Sequence, residues 1–293
     1  MQTNDYPVKE FTSNNNTVTK FVFDFNNAPA EAVLYQYKDR TVICLSVQSG
    51  CPVGCTFCGT GNKFLRNLER SEITYQVDYI VKEKKIIPYH GRFQLMFMSM
   101  GEPFLNFDEV DGAISSLFNQ YPSAELLVST IGVKGYGKWE HFIDVSHFLS
   151  NIGLQFSLHR SNDIEREKII PYKNKMSVRE IRNMGIEWHK YTHRPVFLNY
   201  FIEPGINDKE TDVFSLKELF PPNVFNFTFS VVCNTDKNQT GQTPDYYKMV
   251  AMRSKFAEYN TRIFDPDGQD DIGGGCGQLW YVQDWMASLN EKK

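Results

Sequence analysis

Residues 50–59 read Gly-Cys-Pro-Val-Gly-Cys-Thr-Phe-Cys-Gly and place three cysteines, Cys51, Cys55 and Cys58, within eight positions. Thiols this dense, in a chain without a visible secretion signal, indicate metal binding rather than a disulfide framework. A closed structural zinc site normally has four protein ligands, so three cysteines either borrow a distant fourth ligand or leave one position open. Zinc and an iron–sulfur cluster are both compatible with these soft ligands.

Strand-like and helix-like stretches alternate around this cysteine loop. Val42–Val47 is a predicted strand before it, and Glu72–Lys85 is a predicted amphipathic helix after it. About six β–α units of this kind follow residue 41, and repeated units of this length build a parallel sheet covered by helices. We therefore predict an α/β fold, a partial (β/α)6 barrel of the TIM type.

The first forty residues follow a different pattern. Residues 1–18 are polar and rich in asparagine, so we expect them to be poorly ordered. Two β-like runs, Thr19–Phe25 and Glu31–Tyr37, come next and are separated by turn-forming residues. The sequence therefore predicts a tail with a short N-terminal β extension over residues 1–40 and a core domain over residues 41–293.

Composition limits the class of protein. The chain has 293 residues, of which 41% are hydrophobic and 14% aromatic, as expected for a globular domain with a large core. No stretch approaches the roughly 18 apolar residues of a membrane span, and the N-terminus lacks a secretory pattern. We expect a cytoplasmic monomer in a reducing compartment, with no membrane partner.

Charge is unevenly distributed along the chain. The net charge is −4, yet residues 160–194 carry nine Lys and Arg against five Asp and Glu. This basic segment, together with Lys63, Arg66 and Arg70, is a candidate RNA-facing strip. A solvated helical surface explains the charge pattern equally well.

Polar residues fall at the ends of the predicted core strands, where barrels of this kind carry their chemistry. Gly101 and Glu102 follow the second strand, Ser129 ends the third, and Ser157 and His159 end the fourth. The glycine permits close backbone approach, and the carboxylate can accept hydrogen bonds from an ammonium group. The others can contact a ribose or a carboxylate, although an ordinary turn and a structural histidine are open alternatives.

Two further cysteines have distinctive settings. Cys44 lies in the first core strand, seven residues before Cys51, and Cys276 lies in the run Gly-Gly-Gly-Cys-Gly-Gln-Leu at 273–279. A thiol on a glycine-flanked loop can approach a substrate closely. The alternatives are a core hydrophobic residue for Cys44 and a tight turn for Cys276.

Collinear segments between residue 31 and about residue 280 resemble the RlmN/Cfr family of radical S-adenosylmethionine (SAM) methyl synthases. The matching segments are Ser46–Cys51, Phe57–Gly61, Arg66–Leu68, Glu72–Ile73, Met98–Pro103, Val128–Gly132, Ser157–His159, Asn162–Asp163, Ile169–Pro171 and Cys276–Leu279. The resemblance implies a radical SAM barrel that holds a 4Fe-4S cluster and SAM. It also implies methylation of an adenine carbon in ribosomal or transfer RNA, with an electron donor such as flavodoxin or ferredoxin.

The resemblance assigns a role to each site residue. The cluster ligands would be Cys51, Cys55 and Cys58. The SAM contacts would be Gly101, Glu102, Ser129, Ser157, Leu158, His159 and Asn234. The catalytic residues would be Cys276 as methyl carrier, Cys44 as its resolving partner and Glu31 as proton acceptor. The family's Pro-Trp-Asn-Pro segment is replaced here by Cys-Asn-Thr-Asp at 233–236.

Carbon 2 of adenine lies between two ring nitrogens and is too electron-poor to attack the methyl group of SAM. Family members methylate the loop cysteine first, activate that methyl group with a radical from a second SAM, and resolve the adduct through a disulfide. We expect carbon 2 rather than carbon 8 as the target.

Two alternatives to this function stay open. One is a radical SAM enzyme of another class that acts on a smaller nucleic acid or a nucleotide. The other is a non-catalytic iron–sulfur or zinc interaction protein. Full-length family members also carry an RNA-gripping domain before the β extension, which we expect this chain to lack.

Overall fold

The computed structural model describes residues 6–61, 63–231, 246–275 and 278–279. Its strands are β1 (Val8–Thr12), β2 (Val18–Asp24), β3 (Pro29–Gln36), β4 (Arg40–Leu45), β5 (Gln48–Gly50), β6 (Phe64–Asn67), β7 (Arg92–Phe97), β8 (Glu125–Thr130), β9 (Ile152–Ser157), β10 (Val196–Phe201), β11 (Phe225–Ser230) and β12 (Thr261–Phe264). Its α-helices are α1 (Arg70–Glu83), α2 (Phe107–Gln120), α3 (Tyr136–Phe148), α4 (Asp163–Ile169), α5 (Val178–Thr192), α6 (Glu210–Leu219) and α7 (Tyr246–Ser254). Single 3₁₀ turns cover Pro103–Leu105 and Gln269–Ile272.

Seven parallel strands form the barrel part of a ten-stranded sheet, in the order β4-β7-β8-β9-β10-β11-β12. A helix follows each of the first six, which confirms the predicted partial (β/α)6 architecture. Within the described ranges no ladder joins β12 to another strand beyond β11, so the barrel is open. None of the described helices is long and apolar enough to cross a membrane.

The N-terminal segment is more ordered than the sequence predicts. Strand β1 pairs antiparallel with β2, with Val8 opposite Phe23, so the expectation that residues 1–18 lack order is wrong for this part. The asparagines form a tight turn in which the Asn15 side chain accepts hydrogen bonds from Ser13 and Thr17. Asn16 adopts a left-handed φ of 59°, which asparagine tolerates better than most residues. Asparagine content here marks a turn, not disorder.

The two faces of the β extension have different surroundings, because side chains alternate along each strand. The outer face packs Phe21 and Phe23 edge-on against aromatic residues of α1, with ring centroids 6.2 and 5.5 Å from Tyr79. On the inner face, Val33 lies opposite Cys44 of β4 and lines the barrel interior. The extension therefore continues the barrel wall.

The short helix α4 was absent from the sequence-based prediction. It has seven residues, too few for a clear helical period, and it begins where the Asn162 side chain accepts a hydrogen bond from the backbone N–H of Glu165 at 2.9 Å. Its single fully buried residue is Arg166. The helix therefore places a guanidinium group against the C-terminal ends of β8 and β9.

Candidate active site

The cysteine loop is held by a small hairpin of its own, in which β5 pairs with β6. Gly50 ends β5 with a φ of 77°, and a Cβ there would lie 1.8 Å from the carbonyl oxygen of Lys63. Gly61 is equally confined, since its Cβ would lie 2.8 Å from the carbonyl oxygen of Cys55. These two glycines explain why the loop sequence surrounds its cysteines with glycine.

The three predicted cluster cysteines line one cavity of about 490 Å³. Burial raises the pKa of the Cys51 thiol to about 12, and the pKa of Cys55 is well above its ordinary value because of burial and the neighbouring thiols of Cys58 and Cys51. Burial also raises the pKa of Cys58, although hydrogen bonds from Thr60 and Gly61 oppose it. Metal binding must therefore displace a proton from each thiol.

The three cysteine thiols form a donor set for a metal group. Among the described residues, no three His, Cys, Asp or Glu side chains are arranged to hold one metal ion. The three thiols nevertheless line the same cavity and influence one another electrostatically. Iron–sulfur clusters are held by cysteine thiolates on separate irons, so three thiols around one cavity fit an iron–sulfur cluster.

Gly101 and Glu102 lie beside the cysteine loop, after β7. Gly101 has a φ of 98°, and a Cβ there would lie 2.7 Å from the Cβ of Gln48. The Glu102 carboxylate accepts hydrogen bonds from the Thr130 hydroxyl at 2.5 Å and from the backbone N–H of Ile131 at 2.8 Å. The strand-end backbone and this carboxylate are therefore fixed against the cavity.

Burial raises the pKa of Glu102 to about 7. Three donors oppose the shift, namely Thr130 and the backbone N–H groups of Ile131 and Phe104. The carboxyl group consequently titrates near neutral pH, and a cationic ligand in the cavity would favour its charged form.

The remaining predicted SAM contacts do not share one location. Ser129, Ser157 and His159 line the cavity, with Ser129 accepting a hydrogen bond from Gln155 at 3.1 Å. Leu158, by contrast, is fully buried in the apolar core. Asn234 lies outside the described residues.

His159 is held as a neutral imidazole. Burial lowers the pKa of His159 well below its ordinary value, and the nearby charges of Arg166 and Arg160 add to that effect. Its Nδ1 accepts a hydrogen bond from the backbone N–H of Phe201 at 3.3 Å, which places the proton on Nε2. The ring also stacks on Phe201 and meets Phe57 of the cysteine loop edge-on, at centroid distances of 4.3 and 5.0 Å. His159 thus presents a fixed N–H donor beside the cysteines.

Sequence reasoning missed Arg166 as a site-building residue and placed it in the candidate RNA-facing strip. Its guanidinium is fully buried and donates to the carbonyl oxygens of Ile131 at 2.7 Å and Ser157 at 3.1 Å. Arg160 is also buried and pairs with Glu203. Arg166 ties the ends of β8 and β9 together, and Arg160 ties the segment after β9 to Glu203, so neither guanidinium group belongs to a solvent-facing strip.

Cys44 and Glu31 lie on the extension side of the barrel. Cys44 lines the same cavity as the three cluster cysteines. The Glu31 side chain forms a buried ion pair with Lys20, at 3.1 Å, and its backbone carbonyl accepts hydrogen bonds from Ser46 and Ser99. Lys20 could not be recognised from sequence, because it is an isolated charge in an apolar run.

Cys276 lies outside the described residues, but the chain on both sides of it is described. Lys20 donates to the carbonyl oxygen of Gly273 at 3.4 Å, and the Tyr35 hydroxyl donates to that of Gly274 at 2.7 Å. Thr60, two residues after Cys58, donates to the carbonyl oxygen of Leu279 at 3.2 Å. Gly274, Gly275 and Leu279 line the cavity. The described residues contain no disulfide, so the disulfide implied by the resemblance is not seen there.

Comparison with known proteins places this site in a family. Residues 45–216 match the family model described as the Radical SAM superfamily. A probable dual-specificity RNA methyltransferase RlmN from Fervidobacterium nodosum is 33% identical over 203 residues, which are 69% of this chain and 57% of that protein. The chain thus matches little more than half the length of this relative. A probable RlmN from Finegoldia magna is 30% identical over 280 residues, 93% of this chain and 77% of that protein.

Among solved structures, a radical SAM methyltransferase from Sphaerobacter thermophilus has a TM-score of 0.79 at 24% identity, over 93% of this chain and 80% of that one. This likeness shows the fold. The superfamily match covers well over half of the chain and implies a 4Fe-4S cluster and SAM as cofactors. Together with the sequence relatives, these matches show that the chain belongs to the RlmN/Cfr family of radical SAM enzymes.

Proposed function

We propose that this chain methylates an adenine carbon in ribosomal or transfer RNA, carbon 2 rather than carbon 8, through a methylated Cys276 and a resolving Cys44. The names of its sequence relatives support RNA methyl transfer as the reaction class. The observation that carries the proposal is one continuous cavity, lined by the three loop cysteines, by Cys44 and by the described neighbours of Cys276, Gly275 and Leu279.

The residues around the cavity divide the binding of the cofactors between them. Cys51, Cys55 and Cys58 would hold the cluster, and the Glu102 carboxylate would accept hydrogen bonds from the ammonium group of SAM. The cluster and SAM, when bound, supply the radical chemistry that activates an otherwise inert methyl group. Nε2–H of His159 would donate to an oxygen of SAM, because its proton position is fixed by Phe201.

The protein's own thiols account for the remaining steps. Cys276 would carry the methyl group as a thioether. That group would lose one hydrogen atom to the radical derived from SAM, and its carbon would then bond to the adenine ring, with one electron returning to the cluster as the ring proton leaves. Cys44 would take the ring proton and then form a disulfide with Cys276, which breaks the bond between the Cys276 sulfur and the methyl carbon and releases the methylated base. Two electrons pass from the thiols to the product, so a two-electron thiol reductant must restore Cys44 and Cys276, and a donor such as flavodoxin or ferredoxin would supply the electron that cleaves SAM.

Glu31 is proposed as a proton acceptor in this site. It is fully buried on the inner side of the extension, and the Lys20 ammonium at 3.1 Å compensates its negative charge. The ion pair favours the charged form of the carboxylate, so Glu31 would be ionised before the proton reaches it.

The RNA would approach the mouth of the cavity beside the cysteine loop. Phe64 is exposed on β6, next to Lys63, which combines a surface for base stacking with a charge for phosphate. Arg66 contributes less than its sequence position suggests, because both of its terminal nitrogens are bound to Glu72 at 2.7 Å. The target adenine must leave its base stack to reach the thiols.

The proposal predicts that Cys44→Ala traps a covalent complex between RNA and Cys276. Without the resolving thiol, the adduct has no partner for disulfide exchange and persists. The reconstituted variant would be incubated with SAM, reductant and either ribosomal or transfer RNA, and crosslinked protein would be resolved on a denaturing gel. The double variant Cys44→Ala/Cys276→Ala is the matched control and should show no crosslink. Normal turnover by Cys44→Ala without a crosslink would contradict the role of Cys44.

A further inference from the structure

Three arginines lie at the end of the barrel interior opposite the cysteine loop. Arg40 and Arg92 are the first residues of β4 and β7, and Arg262 is the second residue of β12. All three line the same continuous cavity as the cysteines, and Arg40 lies directly beside Arg92 in the strand register. The curl of the sheet brings β12 round to the same opening, so three guanidinium groups converge there.

The charges at this opening are not balanced. Arg92 uses Nε and Nη2 to bind the carboxylate of Glu125, at 2.8 and 2.7 Å. Arg40 pairs with Asp39, at 3.2 Å, and stacks on the ring of Tyr37. Arg262 lies 4.6 Å from the ring centroid of Phe197 and forms no ion pair with any carboxylate in the described parts of the chain.

This arrangement is unfavourable if its role is only structural. Like charges side by side on neighbouring strands destabilise a sheet. Burial lowers the pKa of Arg262, and the positive charges of Arg92 and Arg40 lower it further, while the Glu125 carboxylate opposes the shift only in part. A purely structural cluster would be more stable with a neutral residue at Arg262. An oxyanion between the guanidinium groups would instead turn this repulsion into attraction, and guanidinium groups match the planar faces of phosphate.

We propose that this opening binds a phosphate group, with Arg262 as its principal ligand and Arg40 and Nη1 of Arg92 as further donors. The phosphate group belongs either to inorganic phosphate or to a small nucleotide. The site lies at the other end of this cavity from the cysteine loop, and its test does not depend on the methyl-transfer proposal.

Thermal unfolding of the native protein, Arg262→Gln and Arg253→Gln tests this site. Arg253 is an exposed arginine on α7 and is the matched control for loss of one positive charge. Unfolding would be followed at increasing millimolar sodium phosphate, with sodium chloride keeping the ionic strength constant, because phosphate also stabilises proteins nonspecifically. Phosphate should raise the Tm of the native protein and of Arg253→Gln in a saturable way.

For the same rise in Tm, Arg262→Gln should require a phosphate concentration at least roughly tenfold higher than the native protein does. This is the effect expected for one lost charge-assisted hydrogen bond. Its Tm without phosphate should equal or exceed that of the native protein, since a repulsive charge is removed. Equal phosphate effects in all three proteins, or no effect in the native protein, would overturn the proposal.

Adenosine monophosphate distinguishes the two sources of the phosphate group. A larger saturable Tm rise than with inorganic phosphate, lost in Arg262→Gln, identifies a nucleotide as the ligand. An equal rise, also lost in that variant, identifies the free oxyanion. A rise that persists undiminished in Arg262→Gln would place adenosine monophosphate elsewhere and contradict its binding at Arg262.

Discussion

The cysteine loop and the loop that carries Cys276 are held in different ways. The cysteine loop is held by residues close to it in sequence. Strands β5 and β6 pair on either side of it, and glycines occupy the positions where a Cβ would collide with the backbone. The described flanks of the second are held by side chains distant in sequence, Lys20, Tyr35 and Thr60, each of which donates to a backbone carbonyl. The cysteine loop is held mainly by local contacts, whereas the flanks of the Cys276 loop combine local hydrogen bonds between Gly275 and Gln278 with these tertiary contacts.

This difference gives the β extension a role in the site. Lys20 and Tyr35 belong to β2 and β3, whereas the cluster cysteines follow β4. The predicted boundary between residues 40 and 41 stays a prediction, yet the cavity draws residues from both sides of it. Thr60 links the two loops, because it contacts both Cys58 and Leu279.

The largest effect on stability is expected from Lys20→Met. The substitution keeps the length of the side chain but leaves the buried Glu31 carboxylate without its ammonium partner, which should cost about 3–5 kcal/mol of unfolding free energy. It also removes the donor to Gly273, so the loop beyond it loses an attachment. Urea unfolding of the metal-free protein measures the loss.

The control for Lys20→Met is the double variant Lys20→Met/Glu31→Gln, which removes both charges. It should recover a large part of the lost stability, because the uncompensated charge is gone. Tyr35→Phe, which loses only one hydroxyl donor, provides a milder comparison, with an expected loss of about 1–3 kcal/mol of unfolding free energy. Equal losses in the single and double variants would show that the ion pair does not anchor the extension.

A smaller, pH-dependent effect is expected from Glu102→Gln on the cysteine-loop side. The pKa of Glu102 is raised to about 7 from 4.5 in the folded protein, so the folded state keeps a proton that the unfolded state has released. The stabilisation from this proton is present below pH 4.5 and is lost as the pH rises to 7, by up to about 3 kcal/mol. Urea unfolding of the metal-free native protein and variant at pH 4.5, 6 and 8 measures it.

Glutamine cannot titrate, so its constant cost should be the same at every pH. The native protein should therefore lose stability relative to Glu102→Gln between pH 4.5 and 8. Parallel stability curves for the two proteins would contradict the raised pKa and show that folding does not shift the titration of this carboxyl group.

Most of the fold was predictable because parallel strands leave a strong local signal. The six β–α units and the polar strand ends at Glu102, Ser129 and Ser157 follow from apolar runs and from the rule that barrel chemistry gathers at the C-terminal strand ends. The glycines of the cysteine loop, Gly50 and Gly61, can also be read directly from the sequence, because they flank the cysteines.

Residues that act through distant contacts were not predictable. Arg166 and Arg160 counted toward a basic strip in sequence, yet both are buried, and composition cannot show that backbone carbonyls surround Arg166. Lys20 gains its role only when β2 pairs with β3 and brings it to Glu31. The asparagines before Val18 were misinterpreted as disorder because turns and disordered tails share their composition.

Mass spectrometry of the peptide that contains Cys276 tests the central claim most directly. The protein would be reconstituted with iron and sulfide, incubated with SAM under anaerobic conditions and digested, and the peptide containing Cys44 would serve as the internal control. The account predicts one added methyl group on Cys276 and none on Cys44. An unmodified Cys276 in protein that has bound its cluster and SAM would contradict the methyl-carrier mechanism and favour a radical SAM reaction of another class.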